Sequence, residues 1–161
     1  MLFNSITFLI FLPIVFTLFW VANKRLQLQN LIVLVASYVF YAWWDWRFLG
    51  LIIASTLVDY IVGYSLDNTS KKSKRKILVS ISLIFNLGLL GFFKYYNFFV
   101  ESFIDAFASA GISLEASTIN IILPVGISFY TFQTLSYTLD VYKKEIPASK
   151  NFLSFATYVA F

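Results

Sequence analysis

Tyr130, Gln133, Tyr137 and Asp140 recur at helical spacing within a stretch otherwise apolar enough to enter a bilayer. At about 100° per residue they share, with Gly126, one sector about 80° wide, while Phe132, Leu135 and Leu139 point away. Polar groups are costly in hydrocarbon unless they face protein, water or substrate. A seam of this kind therefore lines a passage or bonds to neighbouring helices. It could offer hydrogen bonds to a carbonyl or amide. Two further polar residues, Asp59 and Asn86, stand inside other apolar runs. An acid in such a run marks a functional site, or a structural bond between helices.

Chemistry that needs other groups is excluded. The chain has no histidine and no cysteine, which removes the commonest general base, the thiol nucleophile and the thiolate metal site. It has no glycine-rich phosphate loop, no metal-ligand cluster and no nucleophile elbow.

The elements that hold these residues are read from composition. Hydrophobic residues make up 60% of the 161 and charged residues only 12%, about half the charged share of a soluble domain. The expected fold is all-α: a polytopic integral membrane protein with about five complete transmembrane helices and the start of a sixth. The apolar runs cover residues 2–22, 28–46, 48–66, 77–99, 119–142 and 152–161. The first has no basic residue before it and carries Phe and Trp near its end, so it reads as a retained helix rather than a cleaved signal. Pro13 inside it is tolerable as a kink. The passage Tyr38–Arg47, dense in Trp and Tyr, reads as an interfacial aromatic belt at a tight turn. Phe99, Phe103 and Phe107 recur every four residues and suggest a short interfacial helix between the fourth and fifth runs.

Charge sets the expected orientation. Ten of the twelve Lys and Arg fall in the loops at 23–27, 67–76 and 143–150, including five cations between Lys71 and Lys76. Cationic loops stay in the cytoplasm, which places the amino terminus outside the cell membrane. Basic residues in short loops between membrane helices are explained by topology, so nucleic acid is not an expected partner. The lipid bilayer is.

Three passages resemble the amino-terminal part of alginate O-acetyltransferase-type membrane-bound O-acyltransferases. They are Ser37-Tyr-Val-Phe-Tyr-Ala-Trp-Trp44, Gly91-Phe-Phe-Lys-Tyr-Tyr-Asn-Phe-Phe99, and Leu123-Pro-Val-Gly-Ile-Ser-Phe-Tyr-Thr-Phe-Gln133 running on to Asp140-Val-Tyr142. The tail Asn151–Phe161 fits the same family. The resemblance implies a ring of tilted membrane helices and acyl transfer from a cytoplasmic donor, acetyl-CoA or an acyl-carrier thioester. The acceptor would be an extracytoplasmic polysaccharide, reached directly or through an extracytoplasmic acetyltransferase partner. No tightly bound cofactor or metal is implied. The family's catalytic histidine has no counterpart here, so the chain reads as an incomplete domain, inactive alone, and no residue is assigned to catalysis. Tyr130, Gln133, Tyr137, Asp140 and Asp59 are the candidates for lining the substrate passage. The alternatives are the related transfer of D-alanine to teichoic acid, and a non-catalytic transporter or scaffold segment.

Overall fold

The computed structural model describes residues 5–109 and 126–161, apart from the side chain of Trp44. The described residues form six helices: α1 (Ile6–Val21), α2 (Leu26–Trp44), α3 (Trp46–Asp67), α4 (Lys72–Ser109), α5 (Ile127–Lys143) and α6 (Phe152–Ala160). The all-α reading holds, and α2, α3 and α4 are each long and apolar enough to cross a membrane.

Local chemistry sets the helix ends. Ser5 caps α1, its hydroxyl oxygen accepting from the Phe8 N–H at 3.2 Å. Pro13 sits inside this helix without breaking it. The turn expected in the aromatic passage is as tight as a turn can be: Asp45 alone separates α2 from α3. Its backbone is extended, and its carboxylate accepts from the Arg47 N–H at 2.9 Å. α5 begins after Gly126, at φ +80°, and ends at Lys144, also left-handed at φ 66°. There the Lys144 N–H bonds to the Val141 carbonyl and the Glu145 N–H to the Asp140 carbonyl, the double bond of a Schellman cap.

The fourth run differs from expectation. Instead of ending near residue 99 before a separate interfacial helix, α4 continues unbroken for 38 residues. The cause is local: after Gly91 no glycine or proline interrupts the sequence up to Ser109, so nothing stops the helix. At 1.5 Å per residue it is about 57 Å long, nearly twice the hydrocarbon thickness of about 30 Å. The loop expected at 101–118 is described only to Ser109, where it is helix. The remainder, with Leu123, Pro124 and the start of the fifth run, lies outside the described residues.

The core lies where α3, α4 and α5 meet; α6 packs on α2, α3 and α5, while α1 touches α2 alone among the described helices. This core inverts a soluble one. Its best-buried side chains include Ser55, Thr56, Asp59, Ser82, Asn86, Thr131, Thr134 and Thr138, while Phe92, Phe98, Phe129 and Phe132 are exposed. In a bilayer the lipid is as apolar as leucine, so burying leucine gains nothing between helices. Small side chains and interhelical hydrogen bonds do the joining.

One close contact fixes the α3–α5 spacing. A Cβ on Gly63 would come within 2.8 Å of the Tyr137 ring and hydroxyl. Tyr137 cannot swing away freely, because its hydroxyl accepts from the Ser149 N–H at 2.9 Å and its ring lies 4.5 Å from that of Phe155. Gly63→Ala is therefore expected to cost about 1–3 kcal/mol through overpacking, measured as a lower unfolding midpoint in detergent. Unchanged stability would show that the helices can separate without loss.

Candidate functional site

The polar centre is built around Asp59, fully buried on α3. From α4, the Ser82 hydroxyl donates to one carboxylate oxygen and the Asn86 amide to the other at 2.8 Å. From α5, the Thr138 hydroxyl adds a bond to the first oxygen at 3.3 Å. Ser55, one turn before Asp59, donates to the Asn86 amide oxygen at 2.6 Å. Thus Asn86 is fixed between two residues of α3 and orients its amine at the carboxylate. Its amine also reaches the Ser82 carbonyl at 3.1 Å. Spacing explains the convergence: Ser55 and Asp59, and Ser82 and Asn86, are each four apart and so stand on one face of their helices.

Thr131, Thr134 and Thr138 form the buried polar stripe of α5, and the Thr134 hydroxyl donates back to the Thr131 carbonyl at 3.1 Å. The stripe lies beside the Tyr130–Asp140 seam rather than on it. Sequence reasoning missed these threonines. Their spacing at i, i+3 and i+7 was the available signal, weakened because a helical threonine can bond its own backbone without marking an interface.

The seam residues divide. Tyr137 is buried and occupied by Ser149. Gln133 donates its amine to the Tyr158 carbonyl of α6 at 2.6 Å, while its amide oxygen is sealed from solvent with no hydrogen-bond partner. The Tyr130 hydroxyl is likewise sealed and without a partner. Asp140 is half-buried near the end of α5. Of the seam's apolar neighbours, Phe132 points outward as expected, but Leu135 is buried and Leu139 half-buried. Asp59 therefore joins the threonine stripe, and no hydrogen bond links it to the seam.

The basic passage also holds something the sequence does not announce. Arg75, in the first turn of α4, is buried. One guanidinium nitrogen donates to the carbonyls of Leu66 and of Thr69, the latter at 3.2 Å. The other donates to Val141 and Tyr142 at 3.1 and 2.7 Å. It thereby caps the carboxyl ends of α3 and α5 together, where unpaired carbonyls concentrate negative charge. Its charge also lies 5.6 Å from the centre of the Tyr142 ring. Lys71, Lys72, Lys74 and Lys76 around it are exposed. Among the described residues, no group of three or more acidic, histidine or cysteine side chains could hold a metal ion.

Comparison with known proteins agrees with the three sequence passages. Over 99% of this chain, a probable alginate O-acetylase AlgI of Pseudomonas syringae pv. tomato is 41% identical. That of Azotobacter vinelandii is 40% identical, also over 99% of the chain. The chain is a relative of the alginate O-acetylases. It spans 31% and 32% of the length of those two proteins. A peptidoglycan O-acetyltransferase of Helicobacter pylori is 33% identical over 89% of the chain and 27% of its own length. No family model and no solved structure matches the chain.

The buried polar centre around Asp59 has a structural task. It joins three helices by groups that the bilayer cannot satisfy, and it holds α5 at a fixed rotation. That rotation leaves the unpaired oxygen of Gln133 on the side of α5 that faces α6.

Proposed function

We propose that this chain forms the helical frame of a membrane O-acetyltransferase acting on a polysaccharide outside the cytoplasm. The similarity to alginate O-acetylases over nearly the whole chain carries this reading. The proposed donor is a cytoplasmic thioester, acetyl-CoA or an acyl-carrier conjugate, and the acceptor is an alginate-like polymer or an extracytoplasmic acetyltransferase that passes the group on. The frame would sit in the cell membrane with residues 67–76 in the cytoplasm and the amino terminus outside, an orientation supported by the ten cations on one side.

The chain's own contribution is position rather than bond-breaking. Asp59 and Tyr137 are already engaged by protein groups, so they serve as supports. Gln133 is different: one end of its amide is anchored to α6 and the other has no partner. That acceptor is sealed where α5 meets α6, so it would receive a hydroxyl or amide N–H of a substrate only when α6 shifts aside. Gln133→Ala in the full gene product is expected to lower acetyl transfer about tenfold. Its single anchoring bond contributes only about 0.6 kcal/mol, so yield in the membrane should fall much less. Transfer and membrane yield are measured on the same cells. Equal losses in both would leave Gln133 a purely structural role.

A further inference from the structure

Hydrogen bonds divide the described helices into two units. In the first, α3, α4 and α5 are joined by the Asp59 centre and by Arg75. In the second, α6 is joined to α2: the Asn30 amide donates to the Ser154 hydroxyl at 3.1 Å, and the Thr157 hydroxyl donates to the Asn30 carbonyl at 3.0 Å. α1 goes with α2, which alone it touches among the described helices. α6 has one face in each unit. Ala156 and Ala160 are buried with Leu34 of α2, whereas Phe155 and Val159 enter the core of α3, α4 and α5. That apolar contact is readily exchanged in a bilayer, because lipid is as apolar as the side chains it would replace. The polar ties across the line are therefore the ones that hold α6 to α5. Near the start of α6, the Ser149 N–H donates to the Tyr137 hydroxyl at 2.9 Å and the Tyr60 hydroxyl to the Lys150 carbonyl at 3.1 Å. Farther along α6, the Gln133 amine meets the Tyr158 carbonyl at 2.6 Å, and the Tyr158 hydroxyl returns to the Gln133 carbonyl at 3.5 Å. The Gln133 amide oxygen is sealed at that point without a partner.

We propose that the Gln133–Tyr158 pair is a latch between the two units. When it releases, α6 moves with α2 and α1 away from α5. The hinges are the loop before α6 and Asp45, the one residue between α2 and α3. Closure leaves an amide acceptor buried and unpaired, a cost that opening removes. The closed form is thereby kept only slightly preferred. This inference rests on the passage proposed at Gln133 and names the movement that gives a substrate access to it.

The chain has no cysteine, so single cysteines report the movement. Val159→Cys stands between α6 and the α3–α5 core, and Ala156→Cys between α6 and α2; the native residues are 3% and 0% exposed. Each is introduced into the purified full gene product, with cysteines elsewhere replaced by serine, and labelled with N-ethylmaleimide. Adding Gln133→Leu, which keeps the bulk and removes the amide, should speed labelling of Val159→Cys about threefold, the worth of one average interhelical bond in a membrane. Ala156→Cys should label at an unchanged rate. No acceleration at Val159→Cys overturns the latch, and so does equal acceleration at both positions, which is general loosening. Acetyl transfer by the same variants separates the two readings. Faster labelling with transfer intact keeps the latch and removes the passage, and lost transfer without faster labelling does the reverse.

Discussion

Replacing Asp59 by alanine is expected to destabilise the folded chain by about 3 kcal/mol, among the largest losses from any single polar side chain here. Three hydrogen bonds from two neighbouring helices end on its carboxylate. Interhelical bonds in membranes contribute on average only about 0.6 kcal/mol each, because a separated helix also finds partners. Their loss alone would therefore cost about 2 kcal/mol. The remainder comes from what stays behind. Ser82 and Thr138 can turn their hydroxyls to their own helix carbonyls, but the Asn86 amine has only its longer bond to the Ser82 carbonyl. It is left under-satisfied in a dry interface. Asp59→Asn should cost about 1 kcal/mol, since its oxygen can still accept from Asn86 while its amine donates to the hydroxyls. Chemical unfolding in detergent, followed by tryptophan fluorescence, gives both values. A loss below about 0.5 kcal/mol for Asp59→Ala would show that the buried centre does not hold the three helices together.

The second large effect concerns Arg75. Arg75→Met keeps much of the side chain's bulk and removes four donated hydrogen bonds at once. The carbonyls at the ends of α3 and α5 then lose these donors and the buried charge beside them. A cation near helix carboxyl ends contributes up to about 2 kcal/mol when partly buried, and hydrogen bonds from a charged donor exceed neutral ones. The expected loss is about 3–4 kcal/mol, with faster proteolysis in the segment 144–150 that follows α5. Arg75→Lys should recover less than half of this. An ammonium is a single point that cannot fork between two helix ends. Full recovery by lysine would mean that charge alone, rather than the fork, joins the helices.

These two residues show how far the sequence could be read. Asp59 and Asn86 stood out because an acid or an amide inside an apolar run is conspicuous in one dimension. Ser55 and Ser82, each four residues away on the same helix faces, did not stand out. Thr131, Thr134 and Thr138 did not stand out, although they form the inner face of α5. Threonine is tolerated in a membrane helix whether it faces lipid, its own backbone or a neighbour, so only the packed structure decides. Arg75 was read with its lysine neighbours as part of a topology signal. Nothing along the chain distinguishes the one cation that turns inward, since its partners are backbone carbonyls up to 67 positions away.

The helices themselves were more legible than their ends. Each of the six described helices overlaps one apolar run, and a tight turn was visible in the aromatic passage Tyr38–Arg47, but the runs 28–46 and 48–66 put it after Trp46 rather than at Asp45. The length of α4 was not visible, because the drop in hydropathy after Phe99 marks where a helix leaves hydrocarbon, not where it stops. Only a breaking residue or a cap would have ended it, and the sequence from Phe92 to Ser109 contains no glycine or proline.

O-acetylation of a polymer outside the cytoplasm is the role proposed for this frame. It is tested most directly by the base-labile acetyl content of the extracellular polysaccharide, measured in cells with and without the full gene product. Loss of the gene should remove most of the acetyl ester while leaving the amount of polymer unchanged, and restoring the gene should return it. Acetyl content that is the same in both strains would contradict the account.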